Sequence, residues 1–142
     1  MFVKQLSVFI ENREGRLAEV LQVLKENEVN MLSLSLADTS EYGLLRLIVS
    51  KPDTAKKALR EKGFSAMLSE VLAVQLDHKV GKLQELVEVI CEADVNIEYL
   101  YAMTTGKENA AIILKASDAD RAVEALQTQG VKLYTQQEIE KL

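Results

Sequence analysis

One cysteine, one histidine and few aromatic residues (5%) are all that this chain offers of the usual reactive and stacking side chains. Cys91 has no second cysteine to pair with, so an internal disulfide is excluded. Its neighbours read as helix, where it packs or rides partly exposed, and a free thiol suits a reducing cytoplasm. His78 lies 13 residues from Cys91 (91 − 78 = 13), and no CxxC, HExxH or glycine-rich phosphate loop accompanies either. Carboxylates are plentiful, but Glu19, Glu26, Glu85 and Glu88 fall at solvated helix positions, and no nucleophile has a base beside it. The chain is therefore not read as an enzyme, and neither cofactor nor metal is expected. No apolar run approaches the roughly 18 residues of a membrane span. Met1-Phe2-Val3-Lys4 leads straight into a strand pattern, so no signal peptide is expected either.

A basic patch is missing as well. Residues 1–70 carry ten basic and ten acidic groups, whereas residues 71–142 carry seven basic and twelve acidic, which places the whole net charge of −5 in the second half. Phosphate backbones are held by clustered Lys and Arg, so nucleic acid is not an expected partner.

What is present is a repeat. Sliding the sequence against itself by 66 positions (81 − 15 = 66) brings Gly15 onto Gly81, Leu17 onto Leu83, Leu24 onto Ile90, Val29 onto Val95 and Asn30 onto Asn96. Two domains are expected, residues 1–69 and 70–142. Units of about 70 residues bury too little surface to be robust alone, so mutual packing or a dimer is the physical remedy.

The first pass runs as follows. Val3–Ile10 alternates partially and reads as a strand, residues 11–15 as a loop, and Arg16 onward as a helix with Leu17, Val20, Leu21 and Leu24 on one face, ending at Asn27. Val29–Ala37 is a second strand whose Leu32-Ser33-Leu34-Ser35-Leu36 alternates strictly. Asp38–Gly43 makes a turn into a strand at Leu44–Ser50; Pro52 opens a helix that Gly63 ends, and Phe64–Ser69 closes the unit as a strand. The second pass gives strands at Val71–Leu76, Val95–Met103, Ala110–Ala116 and Val131–Gln136. Its helices are Leu83–Glu92, with Leu83, Leu86, Val87 and Ile90 inward, and one running from the cap Asp118 to Gly130. The tail from Gln137 reads as a single helical turn. A βαββαβ order with right-handed crossovers places both helices on one face of a four-stranded antiparallel sheet, the ferredoxin-like arrangement. That topology hosts many functions and by itself names none.

The loop before the first helix carries more. A helix opening at Gly15 presents free N–H groups and the positive end of its dipole, and a residue without Cβ lets a carboxylate approach closely. Asn12 offers both a donor and an acceptor, as a zwitterion requires. Taken alone, the same residues read more simply as Asn12 capping the helix and Gly15 easing a tight turn.

Asn12-Arg13-Glu14-Gly15-Arg16-Leu17-Ala18-Glu19-Val20, followed by Val29-Asn30-Met31, resembles the ACT domain, a small amino-acid-binding regulatory module. His78-Lys79-Val80-Gly81-Lys82-Leu83, then Val95-Asn96-Ile97, resembles a second copy, so nearly the whole chain is similar to a tandem ACT protein. The family pattern has Asp or Asn at the loop start and often Pro before the Gly. Asn12 fits it, while Glu14 and Val80 replace the Pro and His78 replaces the Asp or Asn. The resemblance implies an α+β fold of two ferredoxin-like repeats packed side by side with sheets joined through their β2 strands. It also implies a free amino acid at the seam. One site would use Asn12, Arg13, Glu14, Gly15 and Arg16 with Asn96, Ile97 and Glu98. The other would use His78, Lys79, Val80 and Gly81 with Asn30, Met31 and Leu32. Asn30 and Asn96 can equally be turn residues, and Tyr99 and Tyr101 share a strand face that suits core or interface. The expectation is a non-catalytic cytoplasmic regulator, homodimeric, acting on an enzyme partner; the alternative is a structural dimerisation module that binds nothing.

Overall fold

A computed structural model describes residues 1–38, 41–105 and 109–142. The elements are β1 (Val3–Glu11), α1 (Arg16–Glu26), β2 (Met31–Asp38), β3 (Tyr42–Val49), α2 (Pro52–Glu61), β4 (Ser65–Asp77), α3 (Lys82–Glu92), β5 (Ile97–Thr104), β6 (Asn109–Ala116), α4 (Ala119–Thr128) and α5 (Gln136–Glu140). The anticipated turns at Asp38–Gly43 and Thr104–Asn109 fall in part on residues 39–40 and 106–108, outside the described residues. No helix among the described residues is long and apolar enough to cross a membrane.

Two compact units result, Lys4–Ser69 and the stretch Glu70–Glu140 together with Met1–Val3. The first has strand order β2-β3-β1-β4, with β1 antiparallel to β3 and β2 antiparallel to β3. The second has order β4-β6-β5, again antiparallel throughout. The two strands anticipated at Phe64–Ser69 and Val71–Leu76 are one strand of 13 residues, because no glycine or proline interrupts Ser65–Asp77. Among the described residues β2 pairs with β3, and its counterpart β5 with β6.

Each unit has its own apolar core beneath its helices. Leu6, Val8 and Ile10 of β1 and Leu45, Leu47 and Val49 of β3 meet Val20, Val23 and Leu24 of α1 and Leu59 of α2. In the second, Leu72 and Val74 of β4 and Ile112 and Leu114 of β6 meet Leu86 and Ile90 of α3 and Leu126 of α4. The buried stripe of α1 is rotated from the anticipated one. Val23 is inside, and Leu21 is 37% exposed. Its counterpart helix leaves Leu83 40% exposed and buries part of Val89 instead. The cause is visible in β2, where Leu34 and Leu36 lie opposite the core residues Leu47 and Leu45 yet stay half exposed. The helix layer does not reach over the edge strand, so side chains pointing that way remain in water.

The four long helices end alike. After α1 and α3 the left-handed residue is Glu28 (φ 53°) or Asp94 (φ 57°); after α2 and α4 it is Gly63 or Gly130. In each case the following N–H, of Val29, Phe64, Val95 or Val131, donates back to Leu24, Leu59, Ile90 or Leu126, closing the last turn. Asp118 caps α4 by accepting from the Arg121 N–H at 3.1 Å, as anticipated. The strand anticipated at Val131–Gln136 is reduced to a single bridge, Val74 with Leu133. Thr135 and Glu138 explain the truncation. The Thr135 N–H donates to the Glu138 carboxylate (2.8 Å) and the Glu138 N–H to the Thr135 hydroxyl (3.2 Å), a reciprocal cap that turns the chain into α5 and buries Ile139.

Candidate functional site

The β1–α1 and β4–α3 corners are near copies at the level of backbone bonds. The Arg13 N–H donates to the Glu11 carbonyl (2.9 Å) as Lys79 does to Asp77 (2.8 Å), and Glu19 donates to Gly15 (3.0 Å) as Glu85 does to Gly81 (3.1 Å). Gly15 and Gly81 both take φ 85°, a conformation that disfavours any residue with a Cβ. Neither glycine has an atom within 4 Å of where a Cβ would sit, so the space above each corner is open. Neither helix start has a side-chain cap. Among the described residues the N–H groups of Leu17 and Ala18 find no acceptor, so the first turn of α1 points donors outward.

Around this rim the side chains divide. The Asn12 N–H is spent on the Glu41 carbonyl (3.1 Å), which ties the corner to the far end of the hairpin and leaves the side chain exposed. Arg13 pairs with Glu11 at 2.7 Å, in solvent, and Glu14 is exposed. Arg16 leaves the rim. Its guanidinium lies over the Phe64 ring at 4.5 Å and pairs with Glu19, while Nε is buried without a hydrogen-bond partner among the described residues. In the second corner His78, Lys79 and Gly81 are exposed, and Val80 projects fully into solvent at 105% relative exposure.

The strand starts repeat as faithfully. Asn30 and Ser50 clasp each other, the Asn30 N–H to the Ser50 hydroxyl and the Ser50 N–H to the Asn30 carbonyl, both 2.9 Å. Asn96 and Ser117 do the same at 3.0 and 2.9 Å. A bulge follows in both, between Met31 and Ser33 and between Ile97 and Tyr99, which re-aims the side chains entering the strand. Met31 and Glu98 are exposed, Leu32 and Ile97 half-buried. Each asparagine thus performs a backbone duty and keeps its amide side chain exposed. Tyr99 and Tyr101 are both half-buried, on the strand face shared with the buried Met103.

Within one unit the loop and the strand start are not brought together. Glu11 pairs with Tyr42 and Asp38 with Gly43 at one end of the first sheet, whereas Met31 pairs with Val49 at the other. In the second unit Asp77 lies opposite Asn109, and Ile97 opposite Ala116, with the same consequence. The residues that sequence reading passed over are Glu41, whose carbonyl accepts from the Asn12 N–H, and Phe64, which reads as the first residue of a strand and serves as the platform for Arg16. Among the described residues no group of three or more His, Cys, Asp or Glu could hold a metal.

Twice over, then, the chain builds a βαββ unit with an uncapped helix start beneath an open glycine. These features define a pair of small α+β modules, and the chain belongs to the ACT domain pair family, whose model matches residues 1–142. A crystal structure of a protein from Bacteroides thetaiotaomicron is 34% identical over 100% of this chain and 98% of that one, with a TM-score of 0.94. The ligand-free regulatory subunit of aspartate kinase from Thermus thermophilus is similar in fold, with a TM-score of 0.63 at 20% identity over 88% of this chain and 91% of that one. The corresponding subunit from Thermus flavus gives 0.62 at 20% identity, covering 88% and 90%. No curated protein sequence matches the chain.

Proposed function

We propose that the chain is a non-catalytic cytoplasmic sensor of a free amino acid, which acts by changing its association with an enzyme partner. The observation that carries this reading is the α1 start. Unpaired amide donors at Leu17 and Ala18, the positive end of the helix dipole and the open space over Gly15 together suit a carboxylate. The exposed Asn12 amide adds a group able to accept from an ammonium. In this reading the matching half, Asn96–Glu98 for this corner and Asn30–Leu32 for His78–Gly81, comes from another ACT repeat, since within one unit the loop and the strand start lie at opposite ends of the sheet. The reading includes a homodimer, which half-exposed Leu34 and Leu36 on an edge strand favour.

A ligand bound only by the folded protein stabilises it by RT ln(1 + [L]/Kd), about 2.7 kcal/mol at a hundredfold excess over Kd. It alters a partner only if two packings of the repeats bind it unequally. A thermal-shift screen of the twenty amino acids should therefore give at least one hit. Asn12→Ala should abolish that shift without lowering the unliganded midpoint by more than a degree or two, and a shift that persists in the variant refutes the site. A structural dimerisation module predicts no hit at all.

A further inference from the structure

β1 and β4 are each divided between the two units. β1 belongs with Glu70–Glu140 at Val3 and with the other unit from Lys4 onward, and β4 changes unit after Ser69. At the 66-residue spacing of the repeat, Leu6 falls on Leu72 and Val8 on Val74. Leu6 and Val8 lie in the first core, and their counterparts lie in the second. Phe2 falls on Leu68 (68 − 2 = 66), and here the assignment reverses. Leu68 packs against the first core, and Phe2 against the second.

Leu68 has a plain reason for its place, since it lies in the strand that closes the first unit. The stretch expected to close the second is reduced to the bridge at Leu133, and Phe2 adds apolar cover to that core from a distant part of the chain. The two residues are held unequally. Leu68 sits inside a 13-residue strand whose hydrogen-bonded neighbours are β1 and β6. Phe2 lies outside any strand and is half-buried. Beside it Val3 is fully buried, whereas Met1 is 54% exposed, and its thioether, a weak acceptor, takes the Gln127 amide at 3.2 Å. That contact sets the segment beside the last turn of α4, whose Leu126 is in the second core. Cover fastened by one half-buried ring belongs among the low-energy local openings of a fold.

We propose that Met1–Val3 form a strap on the second unit, and that lifting Phe2 opens the second core while the first stays closed. The strap is carried by β1, which is held in the first unit by the pairing of Leu6–Glu11 with β3. Closure of the second core is therefore conditional on β1 being in place, and a loosening of that strand reaches the second unit through Phe2. The device runs in one direction, because Leu68, fixed within β4, has no comparable freedom to lift. No ligand takes part, so the strap is independent of the amino-acid reading above.

The test is native-state hydrogen exchange on the full chain, read amide by amide by NMR. Phe2→Ala should speed exchange in α4 and at residues 131–134 about tenfold or more, as suits the truncation of a packed ring. Amides of α1 and β3 should stay within about twofold of wild type, because the opening is confined to one unit. Phe2→Leu installs the side chain found at position 68 and should stay within about threefold of wild type in α4, since an apolar body of similar size keeps most of the cover. Unchanged α4 exchange in Phe2→Ala overturns the proposal, and so does a quickening of α1 and β3 equal to that of α4. A Phe2→Leu protein that opens as readily as Phe2→Ala overturns it as well. Should Phe2→Ala not fold, Phe2→Val decides by the same pattern, with an effect of roughly threefold for the smaller truncation.

Discussion

Replacing Gly15 with alanine isolates the backbone contribution at the helix start, and Gly63 supplies the matched control. The two glycines lie in the same unit, take φ 85° and 88°, and have no atom within 4 Å of the point a Cβ would occupy, so neither substitution creates a clash. What remains is the left-handed conformation, which costs a residue with a Cβ about 1–2 kcal/mol. The loss of unfolded-state freedom on removing a glycine offsets about 0.4–1 kcal/mol of this. Both variants should therefore lose about 1 kcal/mol in urea denaturation, or roughly 4 °C in midpoint for a unit of this size. A difference between them above about 1 kcal/mol, or a Gly15→Ala loss beyond about 3 kcal/mol, would refute the account of open space over the corner. With an amino-acid ligand the two should part company. Gly15→Ala puts a methyl group into the open space above the corner and should lose the ligand-induced shift, while Gly63→Ala should keep it; equal retention would refute the role of that corner.

Two further outcomes concern stability alone. Leu114, fully buried in the second core, should lose about 2–5 kcal/mol on truncation to alanine, and a loss under about 1 kcal/mol by denaturant midpoint would contradict the packing described. The Glu138 carboxyl is held below its usual pKa of 4.5, chiefly by the Thr135 N–H; desolvation opposes this, and Lys132 adds to the lowering. A depressed carboxylate contributes stability above its unfolded pKa and loses it as pH falls through the folded value. Acid titration of the α5 amides should therefore show the helix fraying below about pH 4.5, and Glu138→Gln should remove that pH dependence; unchanged titration in the variant would refute the cap.

Most of the fold was legible because its punctuation is strong. Gly63 and Gly130, Pro52 and Asp118 mark helix ends by mechanisms that need no tertiary knowledge, and the doubled spacing of Gly15 and Gly81 made one unit a check on the other. The errors have a common cause, which is that periodicity says what is apolar and not what covers it. Leu21 and Leu83 carry the helical period yet stay partly exposed, and Val131–Gln136 has strand composition but is diverted by the Thr135–Glu138 cap. The corners themselves were foreseeable from Asn12 and Gly15. The fate of Arg16 was not, since its partner Phe64 lies 48 positions away (64 − 16 = 48) and nothing local announces the stack.

The lone bridge at Leu133 bears on how the second unit breathes. Residues 132–134 are fastened to β4 by the Gln75 N–H donating to Lys132 (2.9 Å) and the Tyr134 N–H donating to Ala73 (2.8 Å), in place of a full ladder. A border stitched at so few points is the first to lift in sub-global opening, so its amides should exchange with deuterium well before those of β6. Because Gly130–Lys132 also line a cavity of about 580 Å³ beside Glu85, Val89 and Glu92 of α3, lifting of this border should widen that cavity.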